Sequence, residues 1–339
     1  MMALSRSGSV GWLLLHEIRV AWRSMALTPL ARLGGLGLML VYFGLGTWIA
    51  LTLTDRIEGN DYFSVLIFIS AAASFTFNIS GAMRAAQHTL YEQGDLELQL
   101  TSPIPPSRVI MAKLAMISVS MVFWNALFLF PLLIPIAAIN NPQLFGLLGL
   151  TACVAIFATC IGLTLALFVV HLVGPQRARR LIQIFAAFIG AAIFVSSQAV
   201  PYFGGGEKSL FAWCVANGIG IRGFTALPGR AGFGDMNALL TMLAVTALVF
   251  VVTALSLQRL FIRVYQSAAQ AQVSKTRKNK DLRAAFADHP GRILMRKDLK
   301  LLFRDPSLIY NMLLQLIFMA PLMAGFGKAT GLMSLMPGA

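Results

Sequence analysis

The sequence predicts an all-α polytopic membrane protein in which a six-span helical unit is preceded by an interfacial helix and followed by a second interfacial helix and a seventh span. Three observations carry this reading. Hydrophobic residues make up 58% of the 339 positions and charged residues only 12%, and the mean hydropathy is +0.75, outside the range of a soluble domain. Seven runs are long enough to cross a hydrocarbon core of about 30 Å, which takes roughly 20 mostly apolar residues. Lys and Arg gather at alternate span ends, as positive charge retained on the cytoplasmic side requires.

Residues 1–32 form a cytoplasmic N-terminus and the first interfacial helix. Leu14, Leu15, Ile18 and Trp22 share one face, with His16, Arg19 and Arg23 opposite, the pattern of a helix lying in the membrane interface. The apolar patch Trp12 to Leu15 is too short, and too soon followed by Glu17, Arg19 and Arg23, to be a cleavable signal peptide. Six spans follow within residues 33–258: Leu33 to Leu53, Tyr62 to Met83, Leu114 to Ile139, Leu144 to Val173, Leu181 to Val200 and Ala238 to Leu257. The fourth is long enough to tilt. Its small residues Ala158, Gly162 and Ala166 recur every fourth position, which permits close helix packing.

An inside segment occupies 84–113 and an outside loop 201–237. That loop holds nine glycines and an apolar stretch, Leu210 to Ile221, too short to span, so a re-entrant or interface-lying hairpin is expected. Residues 259–292 are a basic cytoplasmic linker, and 293–339 carry the second interfacial helix and the seventh span, Leu308 to Phe326. An ungapped alignment of the two interfacial helices pairs Glu17 with Asp298, Arg19 with Lys300, Trp22 with Phe303 and Arg23 with Arg304. A repeat of the unit follows, with residues 293–339 read as the start of a truncated second half.

With the N-terminus inside, 22 of the 27 Lys and Arg residues fall on the inner side. Topology therefore accounts for the net charge of +14 without nucleic-acid binding. Cys153, Cys160 and Cys214 give no disulfide framework and read as buried small residues. All thirteen acids lie in loops or at span ends, whereas an ion-coupled carrier needs ionisable groups within its spans. Asn78, Asn125, Gln183 and Gln198 are the main polar groups in the spans and read as interhelical hydrogen-bonding groups. The run "HEIRV" lacks the second histidine of a zinc motif, and "GGGEKS" places Glu207 where a phosphate loop has glycine. No ATPase is encoded, so any energy source is another chain.

The inside segment, Arg84 to Lys113, runs from an acidic cluster (Glu92, Asp95, Glu97) into "TSPIPPSR". Pro103, Pro105 and Pro106 stiffen the backbone, while Leu96, Leu98 and Leu100 offer apolar contacts. Tyr91 to Lys113 resembles the cytoplasmic segment of type-2 ATP-binding-cassette exporter permeases, where a short helix docks into the ATPase. The interfacial helices resemble the elbow helices of that family, and "TALPGR" (Thr225 to Arg230) in the last outside loop fits the same pattern.

The resemblance implies the N-terminal half of a permease with two fused halves, set in the plasma (bacterial inner) membrane. Coupling to the ATPase would then fall to Tyr91, Glu92, Asp95, Leu96, Glu97, Ser102, Pro103 and Arg108. The elbow residues would be Glu17, Arg19, Trp22 and Arg23, with Asp298, Lys300, Phe303 and Arg304 in the second copy. Implied partners are a cytoplasmic ATPase, membrane lipids and a second permease half or dimer mate. ATP would act through the partner, with no cofactor bound directly. The mostly uncharged spans favour a lipid-like or amphipathic substrate. Two other readings stand beside this one: a membrane-anchoring or assembly subunit without its own pathway, and an ion-coupled secondary transporter.

Overall fold

A computed structural model describes residues 9–24, 29–52, 61–87, 105–139, 141–203 and 210–275, together with Met312 and Gln315. Among these, the elements are helices: α1 (Val10–Ser24), α2 (Pro29–Thr52), α3 (Asp61–Gln87), α4 (Pro106–Ile139), α5 (Gly146–Val173), α6 (Pro175–Phe203), α7 (Leu210–Ala216), α8 (Leu227–Gly232) and α9 (Met236–Lys275). Proline opens α2, α4 and α6, where its fixed φ suits the first turn and its missing N–H costs nothing. The hydroxyl of Ser9 opens α1 by accepting the Trp12 N–H at 3.2 Å, an N-cap role.

Five of these helices are long and apolar enough to cross a membrane: Leu33–Thr52, Tyr62–Gln87, Ser107–Ile139, Pro142–Val173 and Met236–Leu257. The chain is thus an all-helical, multi-pass membrane protein. The expected span Leu181 to Val200 lies within α6, which is helical from Pro175 to Phe203 and whose apolar stretch, among the described residues, includes Leu181–Ala192. Arg177, Arg179 and Arg180 precede that stretch, and Ser196, Ser197 and Gln198 follow it. The expected second interfacial helix, with Asp298, Lys300, Phe303 and Arg304, lies outside the described residues, as does the seventh span apart from Met312 and Gln315. The backbone of α9 stays helical to Lys275, into the stretch expected to be a linker; residues 276–292 also lie outside the described set.

The core is built around α5. Its apolar window is 61% buried, whereas the other four spans range from 11% to 28%. It touches α3, α4, α6, α8 and α9. The small-residue spacing explains how. A Cβ on Gly162 would stand 2.8 Å from the Ile79 carbonyl oxygen and 2.9 Å from the Ala82 Cβ, so only glycine lets α3 and α5 meet there. Ala158 and Ala166 are buried on the same face. Without a hydrophobic driving force between helices in lipid, such contact is stabilised mainly by dispersion and shape.

One buried cluster draws on the end of α3 (Met83, Ala86), the start of α4 (Ile110, Leu114), the end of α5 (Leu167, Val170) and the start of α6 (Ala178, Ile182). A second takes Ile67 from the start of α3, Leu150 from the start of α5, Ala231 from α8 and Ala238 from the start of α9. Successive long helices are therefore antiparallel, and the bundle has an α1 end and an α8 end.

At the α8 end, α7 rests on α3 and α6, and α8 on α3, α5 and α9. Within the stretch expected to form a hairpin, α7 is followed by a turn with left-handed glycines, Gly218 and Gly220. Asp235 then starts α9. Its Oδ1 accepts the Asn237 N–H at 3.0 Å, and its Oδ2 accepts Arg230 Nε and Nη2 at 2.9 and 2.6 Å. The Arg230 hydrogen bonds hold the Asp235 carboxyl below the usual carboxylate range. Cys153, Cys160 and Cys214 are free and buried, as their apolar context indicated; burial pushes the Cys214 thiol up.

Candidate functional site

Two constructions stand out. The first joins α1 to α4. Lys113 Nζ donates to Glu17 Oε1 at 2.5 Å, with the two side chains 8% and 18% exposed. The face that α1 turns inward carries Leu13, which is buried, whereas Leu15 is exposed. This differs from the amphipathic face read from the sequence, because α1 packs on α4 and pairs with its lysine. Arg19 and Arg23 are exposed, and Trp12 stacks on His16 with ring centroids 5.7 Å apart. The Trp22 side chain lies outside the described residues.

Arg108 sits exposed in the first turn of α4, its backbone N–H donating to the Pro105 carbonyl at 2.9 Å. Tyr91, Glu92, Asp95, Leu96, Glu97, Ser102 and Pro103 lie outside the described residues. The Glu17–Lys113 pair was missed in the sequence, where Lys113 counted only as inside charge. Its signal was a lysine preceding an apolar run, opposite the one acid of α1.

The second construction is a cavity of about 960 Å³ walled by α3, α4 and α5, with Ile49 of α2 and Phe233 at its edges. The volume lies in the upper part of the range of ligand pockets, about 300–1,000 Å³. Its walls are mostly apolar and aromatic, with Phe77, Trp124 and Phe128 exposed along it.

Three polar side chains clip the walls together. Asn125 Nδ2 donates to Asn78 Oδ1 at 2.7 Å and to the Met121 carbonyl at 2.7 Å. Asn78 Nδ2 donates to the Ser74 carbonyl at 2.7 Å, and the Ser74 hydroxyl donates to Asn125 Oδ1 at 3.2 Å. The amides satisfy one another, so Asn78 and Asn125 act as the interhelical groups their positions indicated. Gln183 is buried on α6, but its Oε1 has no hydrogen-bond partner among the described residues, so the expected interhelical bond is not formed there.

Sequence reasoning did not find the cavity. Its available signal was the four-residue spacing of Ser74 with Asn78 and of Trp124 with Phe128, which puts each pair on one helix face. Phe63 and Arg84 line opposite ends of the cavity on α3. At about 1.5 Å per residue they are about 32 Å apart, close to the thickness of a hydrocarbon core. No protein-family model, curated protein or solved structure matches this chain.

Proposed function

We propose that the chain is the membrane-spanning permease subunit of an ATP-driven exporter, working with a separate cytoplasmic ATPase in a plasma membrane and moving a lipid-like or amphipathic substrate. In this reading the N-terminus is cytoplasmic, residues 33–258 form six spans, and residues 293–339 begin a second elbow and span.

One observation carries the reading. α4 emerges from the acidic, proline-stiffened segment, is pinned to α1 through Lys113, and further along supplies Trp124, Asn125 and Phe128 to the cavity wall. Force applied to residues 91–105 would reach the cavity through one continuous helix of 34 residues. The test is reversal of two acids. Glu92→Lys with Glu97→Lys removes charge-assisted contacts of about 1.5–3 kcal/mol each, so co-purification with the ATPase and ATP-dependent transport should both be lost, with membrane insertion intact. The same reversal at Asp55 and Glu58 should leave both unchanged. Normal ATPase binding and transport by the first double variant would refute the reading.

A further inference from the structure

We infer that the cavity between α3 and α4 seats an anionic amphiphile with an acyl chain, its headgroup held at Arg84. The shape of the site argues for this chemistry. An apolar trough as long as a bilayer core is thick matches a hydrocarbon chain. The polar groups part-way along do not ask for a ligand, because Ser74, Asn78 and Asn125 bond to one another and to their own helices. A chain can therefore lie across them without leaving an amide unpaired.

Among the described residues, charge enters the lining at Arg84, at the α1 end. A guanidinium at the rim of an apolar trough selects a carboxylate or phosphate head over a neutral or cationic one. Gly81, between Asn78 and Arg84 on the same wall, keeps the trough open. A Cβ there would meet only the flexible end of the Met121 side chain, at 3.3 Å.

The assignment of this occupant as the transported substrate rests on the permease reading; binding itself is measured without an ATPase. The full chain in phosphatidylcholine nanodiscs is irradiated with diazirine-bearing palmitate, and in a second arm with diazirine-bearing phosphatidylglycerol. Labelled peptides are then mapped. Labelling at Phe77, Trp124 and Phe128, competed by unlabelled palmitate and not by hexadecyltrimethylammonium, is the expected result. Labelling by the palmitate probe alone identifies a free single-chain acid, and labelling by the phosphatidylglycerol probe identifies a bilayer lipid. Both support the site.

Arg84→Gln should raise the half-saturating probe concentration about tenfold, the loss of one charge-assisted contact, and Arg84→Lys should recover most of it. Gly81→Leu should abolish labelling in α3 and α4. If that variant does not fold, Thr151→Leu fills the trough from the α5 wall and should do the same. Label spread evenly over the outer faces of α2 and α9, an unlabelled trough, or labelling indifferent to both filling variants would overturn the inference.

Discussion

α5 and α2 are both apolar and both rich in small residues, yet one is the centre of the bundle and the other its rim. The apolar window of α5 is 61% buried and that of α2 only 11%. The difference lies in where the small residues fall. Ala158, Gly162 and Ala166 repeat every fourth position and present one narrow face, against which α3 closes to backbone contact. In α2, Gly34, Gly35, Gly37 and Gly44 have no described residue within reach of a Cβ, whereas Gly46 meets the Leu132 carbonyl and the ring of Pro135 on α4. Glycine content says little about packing, whereas small-residue period says much. α1 and α2 make their main contacts with α4, so the rim is attached to the core through one helix.

The sharpest test of that contrast is a pair of substitutions. Gly162→Leu drives a side chain into the Ile79 backbone, and overpacking of this kind costs about 3 kcal/mol. Gly35→Leu should cost close to nothing. Unfolding in detergent can be followed with a dye that reacts as the buried Cys153, Cys160 and Cys214 become exposed. The raised pKa of Cys214 keeps the thiolate fraction low in the folded chain. Equal melting temperatures for the two variants would break the comparison.

Next in size is the attachment of the rim. Lys113→Met removes a charged partner from the poorly solvated Glu17 carboxylate and should cost about 2 kcal/mol. The double variant Glu17→Gln with Lys113→Met should cost less than the single one, because it also removes the carboxylate charge. A thermal melt of the four-member cycle reads the coupling; strict additivity would mean that the pair holds nothing together.

The clip between α4 and the core is weaker still. Asn125→Leu removes hydrogen bonds to Asn78 and Ser74, and interhelical bonds in lipid contribute about 1 kcal/mol. A cysteine cross-link between α3 and α4 should form less efficiently in that variant.

The smallest effect belongs to the α8 end. The Asp235 carboxyl is held below its ordinary range in the folded chain, so its contribution is complete above that range and disappears as pH falls through the lowered value. Hydrogen exchange at Asn237 and Ala238 should accelerate over that acid interval. In Asp235→Asn the pH dependence should vanish, and a dependence that persists would assign it to another group.

Much of the fold was legible because lipid imposes a simple rule: a helix that satisfies its own backbone and presents some twenty apolar residues. The apolar spans carried by α2, α3, α4 and α5 follow from that rule; the start of α4 at Pro106, inside the stretch read as the inner segment, and the end of α3 at Gln87 do not, because polar residues extend both helices beyond their apolar runs. α6 obeys it less clearly, since Arg177, Arg179 and Arg180 begin the helix while Ser196 and Gln198 interrupt its apolar run. The close packing of α5 was legible from Ala158, Gly162 and Ala166, though not its central position. The site was less so. Asn78 and Asn125 could be read as interhelical groups, but not as partners of each other, because which spans adjoin is a tertiary fact that hydropathy does not carry. Phe77, Trp124 and Phe128 look like any lipid-facing aromatics until α3, α4 and α5 are seen to wall a trough. Lys113 and Glu17 are far apart in sequence, and neither spacing nor charge count joins them.

The trough also has a place in the order of synthesis. Among the described residues, its lining apart from Phe233 comes from between Ile49 and Val154. α6 and α9, which cover the other sides of α5, are made later and contribute Ala178, Ile182, Ala254 and Leu257 to the buried cluster at the α1 end. What the trough can hold is therefore written early in translation, and how firmly its walls are braced is written late. Substitutions at Ala254 or Leu257 belong to the second kind: they loosen the brace from behind and leave the lining chemically unchanged.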